Sequence, residues 1–315
     1  MSVAGAATVE RTIGREHWTT KHHPSGPIRL FLWEKYLASR EGSFAGTILL
    51  VHGSSMASTP TFDLHVPARG DWYSMMDYFA RLGYDVWCVD CEGYGRSDKH
   101  RDSNFPISDG ADDCQAAASY IGQVRGVGSL LCYGVSSGAL RAALFAQRNP
   151  GAVSRLALDA FVWTGQGSPT LEQRRGRLPE YLASNRRSID RAFVHSIFTR
   201  DHPGTAEDEV VDAFAEAIVA LDDSIPNGTY VDMCQNLPIV DPVRIDCAVL
   251  ITRGEYDGIA ALEDLLEFFK RLPNPDKQFI VRPGSAHASV QEKNGATLLH
   301  GLAAFWSQPE PLYRG

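Results

Sequence analysis

The chain has 315 residues, 44% hydrophobic and 22% charged, with a formal net charge of −8. This composition excludes a disordered or fibrous chain, and the acidic balance argues against nucleic acid or an anionic membrane as a partner. A chain this long buries a core that needs no metal or disulfide staple, as one α/β domain with an insertion or as two modest domains.

The start, MSVAGAATVERTIG, has no basic segment and no long apolar run, so it does not read as a signal peptide. Residues 16–21 and 27–36 (PIRLFLWEKY) predict two strands around the breaker-rich turn HHPSGP. GTILLVHG is a continuous apolar run ending at His52-Gly53, which suits a strand covered on both faces. A long loop then leads to WYSMMDYFARLGY, an amphipathic helix stopped at Gly83. DVWCVD predicts a strand, DGADDCQAAASYIGQV a helix and SLLCYG a strand. SGALRAALFAQRN predicts a helix closed by Pro150, and VSRLALDAF a sixth strand.

After Trp163 this alternation stops. Residues 164–237 carry no buried-strand signal but two helical stretches, SNRRSIDRAFVHSIF and AEDEVVDAFAEAIVALDD. The pattern resumes with CAVLITRG, LEDLLEFFKRL, KQFIVRPG and NGATLLHGLAAFW. Short apolar strands alternating with helices predict an α/β domain with a mainly parallel sheet flanked by helices. A helical insertion in such a chain is most simply a cap over the sheet's active edge. Residues 1–163 and 238–315 are therefore expected to form the core domain, and residues 164–237 the cap (lid). No apolar stretch is long enough to cross a bilayer, and the cytoplasm is the expected location.

Between the strand SLLCYG and its helix lies Gly134-Val135-Ser136-Ser137-Gly138. Strand, Gly-x-Ser-x-Gly, helix is the arrangement of a nucleophile elbow. The turn is tight and the serine backbone strained, so the residues two positions to either side must be small. Taking Ser137 as the nucleophile would put Val135 and Ala139 there instead. A plain Ser/Gly helix cap is the structural alternative.

Three features favour the elbow. VHGSS ends a strand where the backbone N–H of Ser54 can join that of Ser137 as an oxyanion hole, while His52 itself reads as structural. DCEGYGRS, with Asp90 just before it, reads as a loop that ties itself together. An acid and a base then follow in the order Ser, acid, His. Asp257 lies after the strand CAVLITRG and His287 after KQFIVRPG; parallel strands share an exit edge, so both loops open beside Ser136. Glu255 and Asp159 are rival acids, and Asp257 is favoured by its place before Gly258. His300 is expected to pack within its helix. Cys88 and Cys91 form a C-x-x-C spacing, but Cys88 lies within a strand, so neither a redox nor a metal role is expected.

Together VHGSS, DCEGYGRS, GVSSG, GEYDG and GSAH, in this order, resemble the α/β-hydrolase superfamily in its lidded serine-hydrolase branch, from about Trp18 to Trp306. The resemblance implies an α/β-hydrolase fold with the helical cap inserted after the sixth strand. It implies a catalytic triad of Ser136, Asp257 and His287, an oxyanion hole from Ser54 and Ser137, and no metal or organic cofactor. The loop from Gly53 to Trp72 is longer than the family's usual connection and is expected to bring Phe62 or His65 to the pocket wall. Trp163, Arg174 and His195 complete the expected substrate contacts; Tyr133, Phe161 and Trp72 are further apolar candidates.

The first half of the cap is rich in arginine (Arg174, Arg175, Arg177, Arg186, Arg187, Arg191, Arg200) and the second half is acidic. A solvated face or an internal Arg–acid network is the simpler account; a clamp on an acidic substrate is the functional one. The expected activity is hydrolysis of a small or medium organic carboxylic ester, aromatic or carboxylate-bearing, through an acyl-enzyme. C–C bond or amide hydrolysis, acyl transfer, and low-turnover ligand reception are the alternatives on the same scaffold. The expected partner is a small-molecule substrate, with a homodimer allowed and neither nucleic acid nor membrane.

Overall fold

The computed structural model describes residues 10–313 apart from residue 68. Its strands are β1 (Thr12–His23), β2 (Gly26–Leu37), β3 (Thr47–Val51), β4 (Asp85–Val89), β5 (Leu130–Val135), β6 (Val153–Asp159), β7 (Arg186–Ser188), β8 (Ser224–Pro226), β9 (Ala248–Gly254) and β10 (Lys277–Arg282). All but β7 and β8 form one sheet in the order β1-β2-β4-β3-β5-β6-β9-β10. β1, β2 and β4 pair antiparallel at one edge, and every pairing from β4 to β10 is parallel.

β3 (TILLV), β4 (DVWCV) and β5 (LLCYGV) are buried at every position. That is why they read as unbroken apolar runs: helices cover both faces of the sheet. Successive side chains point to opposite faces. Leu49, Val51 and Trp87 join one core with Ala117 and Leu140, whereas Ile48, Leu50 and Val86 join another with Phe79 and Phe305. The helices start and stop where local chemistry dictates. Ser74 caps Met75–Arg81 by accepting from the Asp77 N–H. Ile107–Arg125 ends at Gly126 in the left-handed conformation.

Between β6 and β9 lie the helices Pro169–Arg175, Leu178–Leu182, Arg191–Thr199, Asp208–Val219 and Gly228–Gln235. One expectation is corrected here. SNRRSIDRAFVHSIF is not a single helix, because Arg186–Ser188 pairs antiparallel with Ser224–Pro226. Arg187 donates to the Pro226 carbonyl at 2.6 Å, and Asp190 restarts the chain as a helix cap by accepting from the Phe193 N–H at 2.7 Å. The pieces Leu178–Leu182 and Gly228–Gln235 are too short to leave a clear helical period in the sequence. All six cysteines are free. Among the described residues no helix is long and apolar enough to cross a membrane.

Candidate active site

β5 hands over to the helix Ser137–Arg148 through Ser136, whose backbone sits at φ 57°, ψ −125°. A non-glycine residue holds such a conformation only where its surroundings enforce it. Here the Ser136 N–H donates to the Asp159 carbonyl at 2.8 Å, fixing the turn to the end of β6. A Cβ on Gly134 would meet the Gly138 carbonyl oxygen at 2.4 Å, and one on Gly138 would meet the Val51 carbonyl oxygen at 2.2 Å. Both contacts are with backbone, which cannot swing aside. Gly138→Ala is therefore expected to destabilise the fold by about 3 kcal/mol, read as a lower denaturant midpoint at unchanged slope.

Three loops bring the remaining groups to this turn. His287 Nε2 lies 3.0 Å from Ser136 Oγ, and His287 Nδ1 lies 3.0 Å from each carboxylate oxygen of Asp257. Asp257 Oδ1 also accepts from the N–H groups of Ile259 (2.8 Å) and Ala260 (3.1 Å). Burial by itself would raise the Asp257 carboxyl. The His287 imidazole and the two N–H donors outweigh it and hold the group down at about 2. The His287 loop is gripped from beneath by Glu292, whose carboxylate accepts from the N–H groups of Ala286 and Ala288 on either side of the histidine.

Ser137 is the first residue of its helix, so its N–H has no intrahelical acceptor. The chain from β3 passes beside this turn: a Cβ on Gly53 would lie 3.4 Å from Ser136 Cβ. His52 fixes this segment. Its Nε2 accepts from the Cys91 N–H at 3.0 Å, which leaves the proton on Nδ1 to be donated to the Gly53 carbonyl at 2.7 Å. Burial, with Arg141 nearby, holds His52 down at about 3, so it stays neutral. The peptide bond is planar and trans, so pinning the Gly53 carbonyl also aims the Ser54 N–H at its other end. The Asp90 loop works in support. Asp90 accepts from the Ser58 and Arg96 N–H groups, and Gly95 leaves room for its carboxylate.

The family model described as "Serine aminopeptidase, S33" matches residues 70–294. The chain belongs to this family. It is a hydrolase of the α/β-hydrolase superfamily, and the solved structures agree in fold. A thermophilic esterase from Thermogutta terrifontis, malate bound, superposes with a TM-score of 0.66 at 19% identity, covering 92% of this chain and 97% of that one. An esterase from Exiguobacterium antarcticum gives 0.67 at 14% identity, covering 93% and 100%. A bromoperoxidase from Bacillus anthracis gives 0.66 at 14% identity, also covering 93% and 100%. None of the curated proteins matches.

A cavity opens above Ser136 in the hydrolase, walled by Phe62, Tyr133, Ile197, Phe214, Arg174 and Arg200. It holds about 580 Å³ of empty space counting its mouth. Phe62 and Arg174, named from the sequence, line this cavity. Three residues do not. Trp163 turns away from the cleft into the core, because its indole N–H donates to the Val240 carbonyl at 3.0 Å and its ring packs on Phe268. His65 is exposed and lines a separate surface groove. His195 lies 3.1 Å from Asp212 with both side chains largely solvated (42% and 61% exposed), a surface pair on the outside of the insertion. Trp72 is 60% exposed, Phe161 packs against Phe268, and His300 is exposed rather than packed within its helix.

The rival acids have other partners. Glu255 accepts from the Gly284 N–H. Asp159 is fully buried beneath Ser136, 3.0 Å from Arg282 and accepting from the hydroxyls of Tyr133 and Ser289. Sequence reasoning missed this cluster, as it missed Glu292. The signal was a charged residue at the end of each of two apolar strands, Asp159 on β6 and Arg282 on β10. One group of donors among the described residues is close enough to share an ion: Asp201, Asp257 and His287, with ligand atoms within 4.8 Å of one another. An ion there would compete with the His287–Asp257 bonds, so the arrangement fits a hydrogen-bonded pair with a neighbouring acid better than a metal centre.

Proposed function

We propose that the hydrolase cleaves a small or medium organic carboxylic ester through an acyl-enzyme, with residues 164–237 as its lid. The observation that carries this reading is the continuous line of 3.0 Å contacts from Ser136 Oγ through the His287 ring to Asp257. Ser136 Oγ attacks the ester carbonyl carbon while its proton passes to His287 Nε2. The carbonyl oxygen, now anionic, rests against the N–H groups of Ser54 and Ser137. His287 returns the proton to the alkoxide as the C–O bond breaks and the alcohol leaves. Water, deprotonated by the same nitrogen, then attacks the acyl-enzyme and releases the acid and free Ser136. Asp257 holds the tautomer in which Nε2 is free to accept.

The family description names a peptidase, and amide hydrolysis uses the same groups. The charge of the cavity supports the ester reading for this chain. An aminopeptidase must hold a cationic α-ammonium, whereas the described lining contains Arg174 and Arg200 and neither Asp nor Glu. Two guanidinium groups repel an ammonium. The apolar wall of Phe62, Tyr133 and Phe214 suits an aliphatic or aromatic acyl body.

The test is covalent labelling by a fluorophosphonate, read by mass spectrometry, followed by turnover of a matched 4-nitrophenyl ester and 4-nitroanilide. Label on Ser136 with ester cleaved faster is the expected result. Absence of label on Ser136 would remove the serine mechanism, and faster anilide cleavage would move the reading to a peptidase.

A further inference from the structure

We propose that the insertion carries a subsite for an anionic group, a carboxylate or a phosphate, on the part of the substrate remote from the scissile bond. Arg174 and Arg200 form it, on the wall between the Ser136 cavity and a second, cationic cleft. The proposal rests on the ester-hydrolase reading above.

Arg174 is the anomaly that points to it. Arg174 is buried, with 9% of its surface exposed. The other buried arginines have oxygen partners: Arg141 donates to the His52 carbonyl, Arg253 to the Ala260 carbonyl and Arg282 across 3.0 Å to Asp159, and Arg155 forms an ion pair with Asp276 at 3.0 Å. Among the described residues the Arg174 guanidinium meets the face of Tyr230, 4.1 Å from the ring centre, and no carboxylate or carbonyl oxygen. Its nitrogens are not sealed: they stay open to the spaces that Arg174 lines, where an arriving anion can accept two parallel charge-assisted hydrogen bonds.

Its neighbourhood is cationic. Among the described residues Arg200 pairs with one acid, Asp201, at 3.4 Å. Arg174 and Arg200 line both the Ser136 cavity and the cleft beyond it, where Arg177, Arg186 and Arg187 are added. Among the described residues the one acid lining that cleft is Glu180, and Arg177 already pairs with it at 2.7 Å. Arg187 also lies over Tyr230, 3.7 Å from the ring centre, and donates to the Ser54 carbonyl at 3.2 Å. Tyr230 lies within the same positive field. Burial would raise its phenol, yet Arg174, Arg187 and Arg200 bring it down to about 7. An anion placed between Arg174 and Arg200 shares a cavity with Ser136, so one acyl chain can join the two.

The test compares 4-nitrophenyl pentanoate with the 4-nitrophenyl monoester of glutarate, which has the same chain length and ends in a carboxylate. At low ionic strength wild-type kcat/KM should favour the glutarate ester by at least about tenfold. Arg174→Met should cut that ratio by about tenfold or more, and Arg174→Lys should recover part of it. Arg200→Met reads the same ratio should Arg174→Met fail to fold. A wild-type ratio at or below one, or a ratio unmoved in both Met variants, overturns the subsite.

Free glutarate and inorganic phosphate, as inhibitors of pentanoate hydrolysis, separate the two anions. Inhibition by either that weakens in Arg174→Met supports the subsite, and inhibition by neither counts against it. A chain that takes no fluorophosphonate and turns over neither ester loses the hydrolase reading instead. Calorimetry then decides the subsite alone: glutarate or phosphate binding to the wild-type chain that Arg174→Met loses retains it, and no binding removes it.

Discussion

Ser136→Ala is expected to lower kcat for a cleaved ester by roughly 10⁶-fold while the protein stays folded, since removing the nucleophile of a triad costs about as much as removing all three members. The structure explains why the effect should separate cleanly from stability. The strained backbone at Ser136 (φ 57°, ψ −125°) is enforced by Gly134 and Gly138 and by the N–H bond to Asp159, and none of these uses the side chain. Oγ contributes one contact, to His287 Nε2, at a partly exposed position. Its loss should move the unfolding free energy by no more than about 1 kcal/mol. The checks are kcat and the urea midpoint on the same preparation, with fluorophosphonate labelling as a control. Activity within tenfold of wild type would end the serine mechanism. A matching loss of stability would mean that the hydroxyl holds the turn rather than attacks.

The sequence is most informative where covalent geometry leaves few options. Gly134-x-Ser136-x-Gly138 between a strand and a helix is legible because only glycine tolerates backbone oxygens 2.2–2.4 Å from where a Cβ would stand. The buried strands are legible because two covered faces demand unbroken apolar runs. Asp257 and His287 follow from chain order and the shared exit edge of parallel strands; in the structure Asp257 contacts His287, and His287 contacts Ser136. What fails is anything decided by side-chain direction in the insertion. Trp163 ends an apolar strand segment and would face the cleft but for a carbonyl, that of Val240, waiting 77 positions away in the sequence. Arg174, Arg187 and Arg200 look alike in a run of seven arginines. Burial and partners distinguish them, and these depend on the packing of four separate pieces of the insertion. Glu292 is invisible for the same reason: its role is to bind two backbone N–H groups, which leaves no pattern beyond an acid five residues after the histidine.

Asp257→Asn is the second large effect expected, a fall in kcat of about 10⁴-fold, the scale reached when a triad carboxylate becomes an amide. The reason lies in the hydrogen-bond roles around Asp257. Its Oδ1 accepts from the Ile259 and Ala260 N–H groups, so the asparagine must keep its oxygen there and turn its NH₂ toward His287 Nδ1. Nδ1 then becomes an acceptor and the ring proton moves to Nε2. That nitrogen can donate to Ser136 but can no longer take its proton. A loss smaller than tenfold would point to Asp201, whose carboxylate also lies beside the imidazole, as a substitute acid.

Stability supplies an independent reading of the same variant. A carboxylate held at about 2 in the folded chain, against an ordinary value of about 4, stabilises the fold above pH 4, and that contribution is lost as pH falls from about 4 to about 2. Asparagine does not titrate. Between pH 5 and pH 3 the urea midpoint of the wild type should therefore fall more steeply than that of Asp257→Asn. Parallel slopes would show that the carboxylate is not held by His287 and the two N–H donors in solution, and with them would go the reason for assigning His287 as the base.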